Sequence, residues 1–286
     1  MAEDALLELY CMDMMVFLLA AEVLFVAVPF TAEKSFTGEI EGPAVDRAGN
    51  VYAVSFERKN TIGRVSPEGK GEVFVEMPKG SLANGIRIGR DGQLYVADYT
   101  GHNILKIDPA TRKISVFAHE ATMNQPNDLA MGRDGTLWAS DPNWGNGTGQ
   151  IWRISREGKV VRVAEGMGTT NGIELSKNGK YLYVNESVQR KVWRFRVERN
   201  GTLSGKTLLI EFPDFSMDGM RMDRKGNLMI SRHGKGTVAM VSAAGKVIRE
   251  IDVLGTKPSN VAISADGKTV FVTEMEKGRL VRFRLE

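Results

Sequence analysis

Short runs of alternating apolar and polar residues dominate the chain after residue 30, and turn residues separate them. Such alternation is typical of strands with one buried face. In the stretch "NGIELSKNGKYLYVN" (171–185), Asn178-Gly179 stands between two of these runs. Asn-Gly favours a tight hairpin turn, because both residues tolerate a positive φ. No long stretch of helical periodicity follows residue 30, so an all-β fold is expected.

The same hairpin pattern occurs six times at a nearly constant spacing. Its turn glycines follow one another at intervals of 43, 43, 44, 47 and 41 residues: Gly49, Gly92, Gly135, Gly179, Gly226 and Gly267. A third and a fourth apolar run follow each full hairpin. Four short strands in each repeat of about 40–50 residues are the signature of a propeller blade. The sequence therefore predicts a six-bladed β-propeller over residues 31–286, with four antiparallel strands in each blade.

The last repeat is too short for a complete blade. Residues 259–286 leave room for three strands. Residues 30–38, "FTAEKSFTG", precede the first repeat and alternate as a strand does. We expect this N-terminal strand to complete the last blade, because the ring would then close without an exposed sheet edge.

One polar residue begins each repeat, eight positions before the turn glycine. The six residues all have a side-chain oxygen: Glu41, Asn84, Asn127, Asn171, Asp218 and Ser259. Equivalent positions of a propeller reach the same height around its central channel. Asn, Asp and Ser at strand starts also cap backbone groups, which is the alternative interpretation.

Two carboxylates at one height favour a cation site over capping alone. They repel each other unless a cation or a proton lies between them. Calcium takes carboxylate, amide and water oxygens, so we predict a Ca²⁺ site formed by Glu41, Asn127, Asn171 and Asp218. Mg²⁺, Mn²⁺ and Zn²⁺ remain alternatives, although the lack of Cys and His at these positions argues against zinc.

At these residues the sequence resembles the gluconolactonase/regucalcin (SMP-30) family of calcium-dependent propeller hydrolases. The resemblance covers about residues 31–286. It rests on "EGPAVD", "QPNDLAMGRDGTLWASDPNWG", "TTNGIELSKNGKYLYVNES", "MDGMRMDRKGNLMIS" and "PSNVAISADGKTVFVTE" in the family's order. It implies a hydrolase that opens lactones or related esters, with Glu41, Asn171 and Asp218 as metal ligands and Asn127 at the ion or the substrate.

The resemblance also implies roles around the ion. The ion would polarise a carbonyl, and Asp218 would act as general base or nucleophile. Some bacterial members use an acid at the position of Asp141. Sugar-lactone-binding members often have an arginine where this chain has Gln125, which weakens the expectation of a polyhydroxylated or acidic sugar.

Three further side chains complete the predicted substrate site. Asn84 belongs to the ring of first residues, Trp144 lies in the loop "DPNWGNGTGQ", and His233 follows the second strand of its blade, where loops reach a propeller face. For Trp144 the alternative is a packed aromatic between blades. The alternative functions are a phosphotriesterase at the same site and a non-enzymatic binding propeller of the NHL kind.

Residues 1–30 differ from the rest of the chain. Met14 to Phe30 is apolar except for Glu22, and residues 1–30 contain five acidic and no basic residues. An atypical signal segment, a membrane anchor and a packed helix are all consistent with this stretch. Residues 1–30 are therefore a candidate for membrane contact. A secreted, periplasmic or membrane-associated location is slightly favoured over a cytoplasmic one.

The charged residues and the cysteine count limit the kinds of partner and covalent cross-link that the chain could have. The chain has 38 basic and 35 acidic residues, and the basic ones are scattered along the strands. We interpret them as a solvated surface and expect a small-molecule partner rather than nucleic acid. Cys11 is the single cysteine, so no disulfide framework is expected.

Overall fold

The computed structural model describes residues 23–286, which form a six-bladed β-propeller. Each of its six sheets has four antiparallel strands, as the repeat predicts. These residues include no helix, and hence none that is long and apolar enough to cross a membrane. The predictions for residues 1–22 lie outside the described residues.

Blades 1 to 5 each consist of four consecutive strands. Blade 1 contains β2 (Ala44–Val45), β3 (Val51–Val54), β4 (Thr61–Val65) and β5 (Gly71–Glu76). Blade 2 contains β6 (Ala83–Ile88), β7 (Leu94–Asp98), β8 (Asn103–Ile107) and β9 (Ile114–His119). Blade 3 contains β10 (Leu129–Met131), β11 (Leu137–Asn143), β12 (Thr148–Ile154) and β13 (Val160–Met167). Blade 4 contains β14 (Thr170–Leu175), β15 (Tyr181–Glu186), β16 (Lys191–Val197) and β17 (Leu203–Glu211). Blade 5 contains β18 (Met220–Met222), β19 (Leu228–Arg232), β20 (Thr237–Val241) and β21 (Val247–Asp252).

Blade 6 closes the ring with strands from both ends of the described chain. It contains β22 (Pro258–Ile263), β23 (Thr269–Glu274) and β24 (Arg279–Arg284), and β1 (Val28–Pro29) pairs with β24. The predicted closure by an N-terminal strand is confirmed.

The closing strand begins two residues before the predicted stretch 30–38. The backbone N–H groups of Phe30 and Thr31 still bond to Leu280 O. The chain then turns at Lys34, whose φ is 62°, and Phe36 forms a bridge to Phe56 of blade 1. The alternation in residues 30–38 therefore reflects packing between blades 6 and 1 rather than one continuous strand.

The two ends of the central channel have different connections. The first strand of each blade starts at one end, which we call the site face, and runs to the hairpin that contains the turn glycine. We call the end with these hairpins the turn face. Strands alternate in direction, so the loops between blades and the loops between second and third strands lie at the site face.

Apolar side chains pack between neighbouring blades and hold the ring rigid. One cluster joins blades 1 and 2 through Val54, Phe74, Ile86 and Val96. Similar clusters fill the other five blade interfaces. Because every blade is packed on both sides, the six inner strands hold their first residues in fixed positions around the channel.

Candidate functional site

Five of the six first residues of the repeats line one cavity at the site face. The cavity has a volume of about 410 Å³, and the five are Glu41, Asn84, Asn127, Asn171 and Asp218. The sixth, Ser259, is fully buried and faces away from the cavity. Its hydroxyl donates to Ile40 O at 2.7 Å and hydrogen bonds to Thr273 Oγ1 at 2.7 Å, which is the capping role.

Glycine follows four of these five residues because the inner strands approach each other closely. A Cβ at Gly172 would lie 2.6 Å from the backbone oxygen of Asp218 in the next blade. A Cβ at Gly42 would lie 1.9 Å from the backbone oxygen of Asn84. The glycine in the pair Asn171-Gly172 thus allows two neighbouring first residues to come together, whereas Gly179, with φ of 70°, makes the hairpin turn.

The two carboxyl groups of the site are neighbours, and each affects the pKa of the other. Glu41 accepts hydrogen bonds from the Gly42 N–H at 2.6 Å and from Asn260 Nδ2 at 3.0 Å. Two neighbouring buried carboxylates repel each other when both are ionised, so a proton or a cation between them stabilises the pair.

Burial and mutual repulsion raise both pKa values. Burial raises the pKa of Glu41 to about 7; the Gly42 N–H opposes this rise, and the Asp128 carboxylate adds to it. Burial also raises the pKa of Asp218 well above its usual range, and the neighbouring Glu41 raises it further. The pair is thus electrostatically unfavourable in its ionised form, which is the situation that a bound cation relieves.

The amide oxygens around this pair fit a hard cation. Asn171 Oδ1 and Asn84 Oδ1 are buried and have no hydrogen-bond partner in the described part of the chain. Such orphaned acceptors are costly unless a ligand satisfies them. Asn127 lines the same cavity and is 6% exposed. Within residues 23–286 no three His, Cys, Asp or Glu side chains gather into a metal cluster, so the donor set consists of two carboxylates and amides.

His233 lies beside the carboxyl pair. Its Nδ1 is 3.8 Å from Asp218 Oδ2, and its side chain is 31% exposed. Burial lowers the pKa of His233, although the Pro258 carbonyl opposes this effect. Its imidazole is therefore neutral near pH 7 and lines the cavity as a polar contact rather than as a fixed cation.

The upper wall of the cavity is largely apolar. Trp144 lines it and is 38% exposed, which excludes the alternative of an aromatic buried between blades. Leu82, Val188, Met217 and Met275 add apolar surface. No arginine or lysine is among the residues that line this cavity. A bound molecule would thus meet polar groups at the bottom and apolar groups at the rim.

Asp141 lies outside the cavity lining. Its carboxylate is fully buried and accepts hydrogen bonds from Trp152 Nε1 and Gln150 Nε2, both at 2.7 Å. The backbone N–H groups of Asn124 and Gln125 also donate to it. These donors occupy both of its oxygens, so Asp141 fixes the loop that leads to Asn127 instead of facing the substrate space.

Glycine follows the first residue of the repeat in four blades, but Asp128 follows it in blade 3 and Asn260 in blade 6. Sequence reasoning missed both of these residues. Asn260 donates to Glu41, and Asp128 forms a buried ion pair with Arg221 at 2.7 Å and a longer one with Arg87 at 3.6 Å. Arg87 also pairs with Glu174 at 3.5 Å. These charges cross the channel below the cavity. A signal was present, because only these two of the six repeats lack glycine at this position.

Comparisons with known proteins find relatives of this chain. The family model described as "SMP-30/Gluconolactonase/LRE-like region" matches residues 40–276. A pentonolactonase of Haloferax volcanii is 29% identical over 129 residues, which cover 44% of each chain. The chain spans about half the length of the curated relatives it matches.

Two solved structures share the fold over nearly the whole chain. A gluconolactonase of Xanthomonas campestris has a TM-score of 0.79 at 21% identity and covers 91% of this chain and 89% of its own. A calcium-binding regucalcin of Agrobacterium tumefaciens has a TM-score of 0.77 at 19% identity, with 92% and 93% covered. At these identities the likeness shows the fold alone. The match to the family model extends over most of the chain, and this protein therefore belongs to the SMP-30/gluconolactonase/LRE-like family.

Proposed function

We propose that this protein is a calcium-dependent hydrolase that opens lactones or related esters. The observation that carries the proposal is the buried pair of Glu41 and Asp218, beside orphaned amide oxygens, at the bottom of an open cavity. The lactonases among its relatives support the reaction class, and the calcium-binding regucalcin among its structural neighbours supports the ion.

Four residues would hold the ion: Glu41, Asn127, Asn171 and Asp218. Glu41 and Asp218 supply two negative charges, which match Ca²⁺, and the amides supply neutral oxygens. When bound, calcium supplies a Lewis acid that polarises the substrate carbonyl. Asn260 and the Gly42 N–H hold Glu41 in place, since both donate to its Oε2.

Asp218 is the proposed catalytic residue. Its backbone is fixed on both sides, because its N–H donates to Ser231 O at 3.0 Å and its carbonyl accepts from Asn185 Nδ2 at 2.5 Å. A carboxylate held in this way either takes a proton from water or attacks the carbonyl carbon itself. Neutral His233, 3.8 Å away, is placed to hydrogen bond with the substrate or with the group that leaves.

The walls favour a lactone with an apolar substituent over a sugar lactone. Trp144, Val188 and Met217 offer apolar contact, and Trp144 is exposed enough to stack on a flat ligand. A polyhydroxylated ring would need several hydrogen-bonding partners at the rim. Asn84 is the polar side chain that we assign to the ring oxygen or a neighbouring hydroxyl.

The test measures lactone hydrolysis with and without a chelator. We expect the wild-type protein to hydrolyse dihydrocoumarin faster than glucono-1,5-lactone, and to lose at least 100-fold in kcat/KM in EGTA, with recovery in calcium. Asp218→Asn should lose at least 100-fold in calcium. Glu39→Gln is the matched control, since Glu39 lines the same cavity but pairs with Lys59 at its exposed edge.

Each alternative has its own outcome. Activity that survives both EGTA and Asp218→Asn would refute the proposal. Calcium-dependent hydrolysis of paraoxon without lactone hydrolysis would support a phosphotriesterase. Calcium-dependent binding of dihydrocoumarin without turnover would support a binding propeller.

A further inference from the structure

The basic residues that appear scattered in the sequence form a ring at the turn face. In five of the six blades a basic residue stands two positions before the turn glycine: Arg47, Arg90, Arg133, Lys177 and Arg224. Because the position is the same in each blade, the five lie at one height around the turn-face end of the channel. All five are exposed.

Neighbouring members of this ring share surface depressions. Arg90 and Arg133 line a depression with Arg87 and Arg221 at the channel end. Arg133, Lys177 and Arg224 line the next one, whose volume is about 720 Å³. Four members of the ring therefore line two neighbouring depressions that share Arg133.

The cations of the ring lack carboxylate partners. Within residues 23–286, Arg47, Arg90, Arg133 and Lys177 form no ion pair, and Arg224 donates to the backbone oxygen of Ala265. The nearby acids are occupied elsewhere. Asp91 accepts hydrogen bonds from Tyr95 and Lys106, Asp134 from Thr136, and Asp223 from Asn227. The turn face thus has positive charges that are free to meet an anionic partner.

The chain enters the propeller at the same face. Phe25 N–H bonds to Arg284 O at the end of β24 that reaches the turn face, and Leu24 forms a bridge to Arg284. Val23, Leu24 and Val26 are 68%, 48% and 52% exposed. The sequence before them is apolar from Met14 onward, except for Glu22. Exposed apolar residues and the ring of cations thus lie on the same face.

We propose that the turn face docks on an anionic lipid surface. Acidic headgroups would meet the ring, and the exposed apolar residues on the same face would enter the interface, so electrostatic and apolar contacts would act together. A lipid surface fits better than nucleic acid, because exposed apolar residues lie on the same face as the cations. The site face then points away from the membrane and stays open to substrate.

The test is co-sedimentation of the full chain with lipid vesicles. We expect binding to vesicles with 30% phosphatidylglycerol in phosphatidylcholine, little binding to pure phosphatidylcholine, and weaker binding as salt rises. A variant with all five ring residues changed to Gln should bind at least tenfold more weakly. Leu24→Ser/Val26→Ser should also bind more weakly.

A control variant removes the same charge from the site face. It changes five basic residues to Gln: Arg58, Lys59, Lys79, Lys257 and Lys277. We expect it to bind the anionic vesicles within twofold of wild type, and both five-residue variants to keep the thermal unfolding midpoint within a few degrees. Equal weakening by the two variants, equal binding to both vesicle types, or tighter binding to duplex DNA than to the anionic vesicles would overturn the proposal. These outcomes do not depend on lactone hydrolysis.

Discussion

Replacing Glu41 by Gln should have opposite effects on the metal-free and the calcium-bound protein. Without a cation the ionised carboxylate of Glu41 destabilises the folded protein, because burial raises its pKa from 4.5 to about 7. A carboxyl whose pKa is raised in the folded state makes its full contribution to the stability of that state below pH 4.5, where it is protonated. That contribution is lost as the pH rises through 7.

The size of the effect follows from the two pKa values. Between pH 5 and pH 8 the ionisation of Glu41 should lower the free energy of unfolding of the metal-free protein by about 2–3 kcal/mol. For a chain of 286 residues this corresponds to a fall of about 3–5 °C in the unfolding midpoint. Glu41→Gln removes the titrating group, so the variant in EGTA should lose that much less stability over the same range.

Calcium should reverse the order of stability of the wild-type protein and the Glu41→Gln variant. At a calcium concentration of 100 times Kd the wild-type protein gains about 2.7 kcal/mol. The variant lacks one of the two negative ligands and should gain much less. Differential scanning calorimetry at pH 5 and pH 8, in EGTA and in calcium, measures all four states, and Glu39→Gln serves as the control for loss of an exposed charge.

Two results would refute this reasoning. If Glu41→Gln had the same pH dependence as wild type in EGTA, Glu41 would not be a buried carboxyl with a raised pKa. If calcium stabilised the variant as much as wild type, Glu41 would not be a ligand.

Three further substitutions test how the site is held. Gly172→Ala places a Cβ 2.6 Å from the backbone oxygen of Asp218. It should therefore lower the free energy of unfolding by about 1–3 kcal/mol and weaken calcium binding in titration calorimetry. Gly145→Ala, whose Cβ would have no neighbour closer than 3.7 Å, is the control and should change neither quantity. Asp141→Asn leaves buried donors without an acceptor and should cost about 2–4 kcal/mol in urea unfolding; an unchanged midpoint would contradict the role given to Asp141. Trp144→Ala should raise KM for dihydrocoumarin about tenfold by loss of apolar contact, and an unchanged KM would exclude stacking.

The fold and five residues of the cavity could be predicted from the sequence because the repeat fixes them. A constant spacing to the turn glycine places one residue of every blade at the same height, so Asn171 and Asp218 could be grouped without any coordinates. The closing strand was placed slightly too late, because residues 30–38 alternate for a different reason, namely contact of Phe36 with blade 1.

Contacts between distant parts of the chain could not be predicted in this way. Asp141 belongs to a motif that suggested substrate contact, yet Gln150 and Trp152 enclose its carboxylate. Asn260 reaches Glu41 across 219 positions of sequence, and nothing in its own repeat indicates that partner. The basic ring was missed because its members are about 43 residues apart, and a linear scan for charge clusters does not detect such a spacing.

In blades 1 to 5 the first strand has a cavity residue near one end and a residue of the basic ring near the other. The distance between these two ends explains why the carboxyl pair needs its own cation. Six residues separate Glu41 from Arg47, and the same interval separates Asp218 from Arg224. At about 3.3 Å per residue the ring of cations lies about 20 Å from the carboxyl pair. At this distance the Coulomb attraction is weak, and salt around the exposed ring weakens it further, so the ring does not neutralise the pair. The charges in between are balanced, since Arg87 and Arg221 pair with Asp128 and Glu174. The charge that relieves Glu41 and Asp218 must therefore come from a bound ion or from a proton.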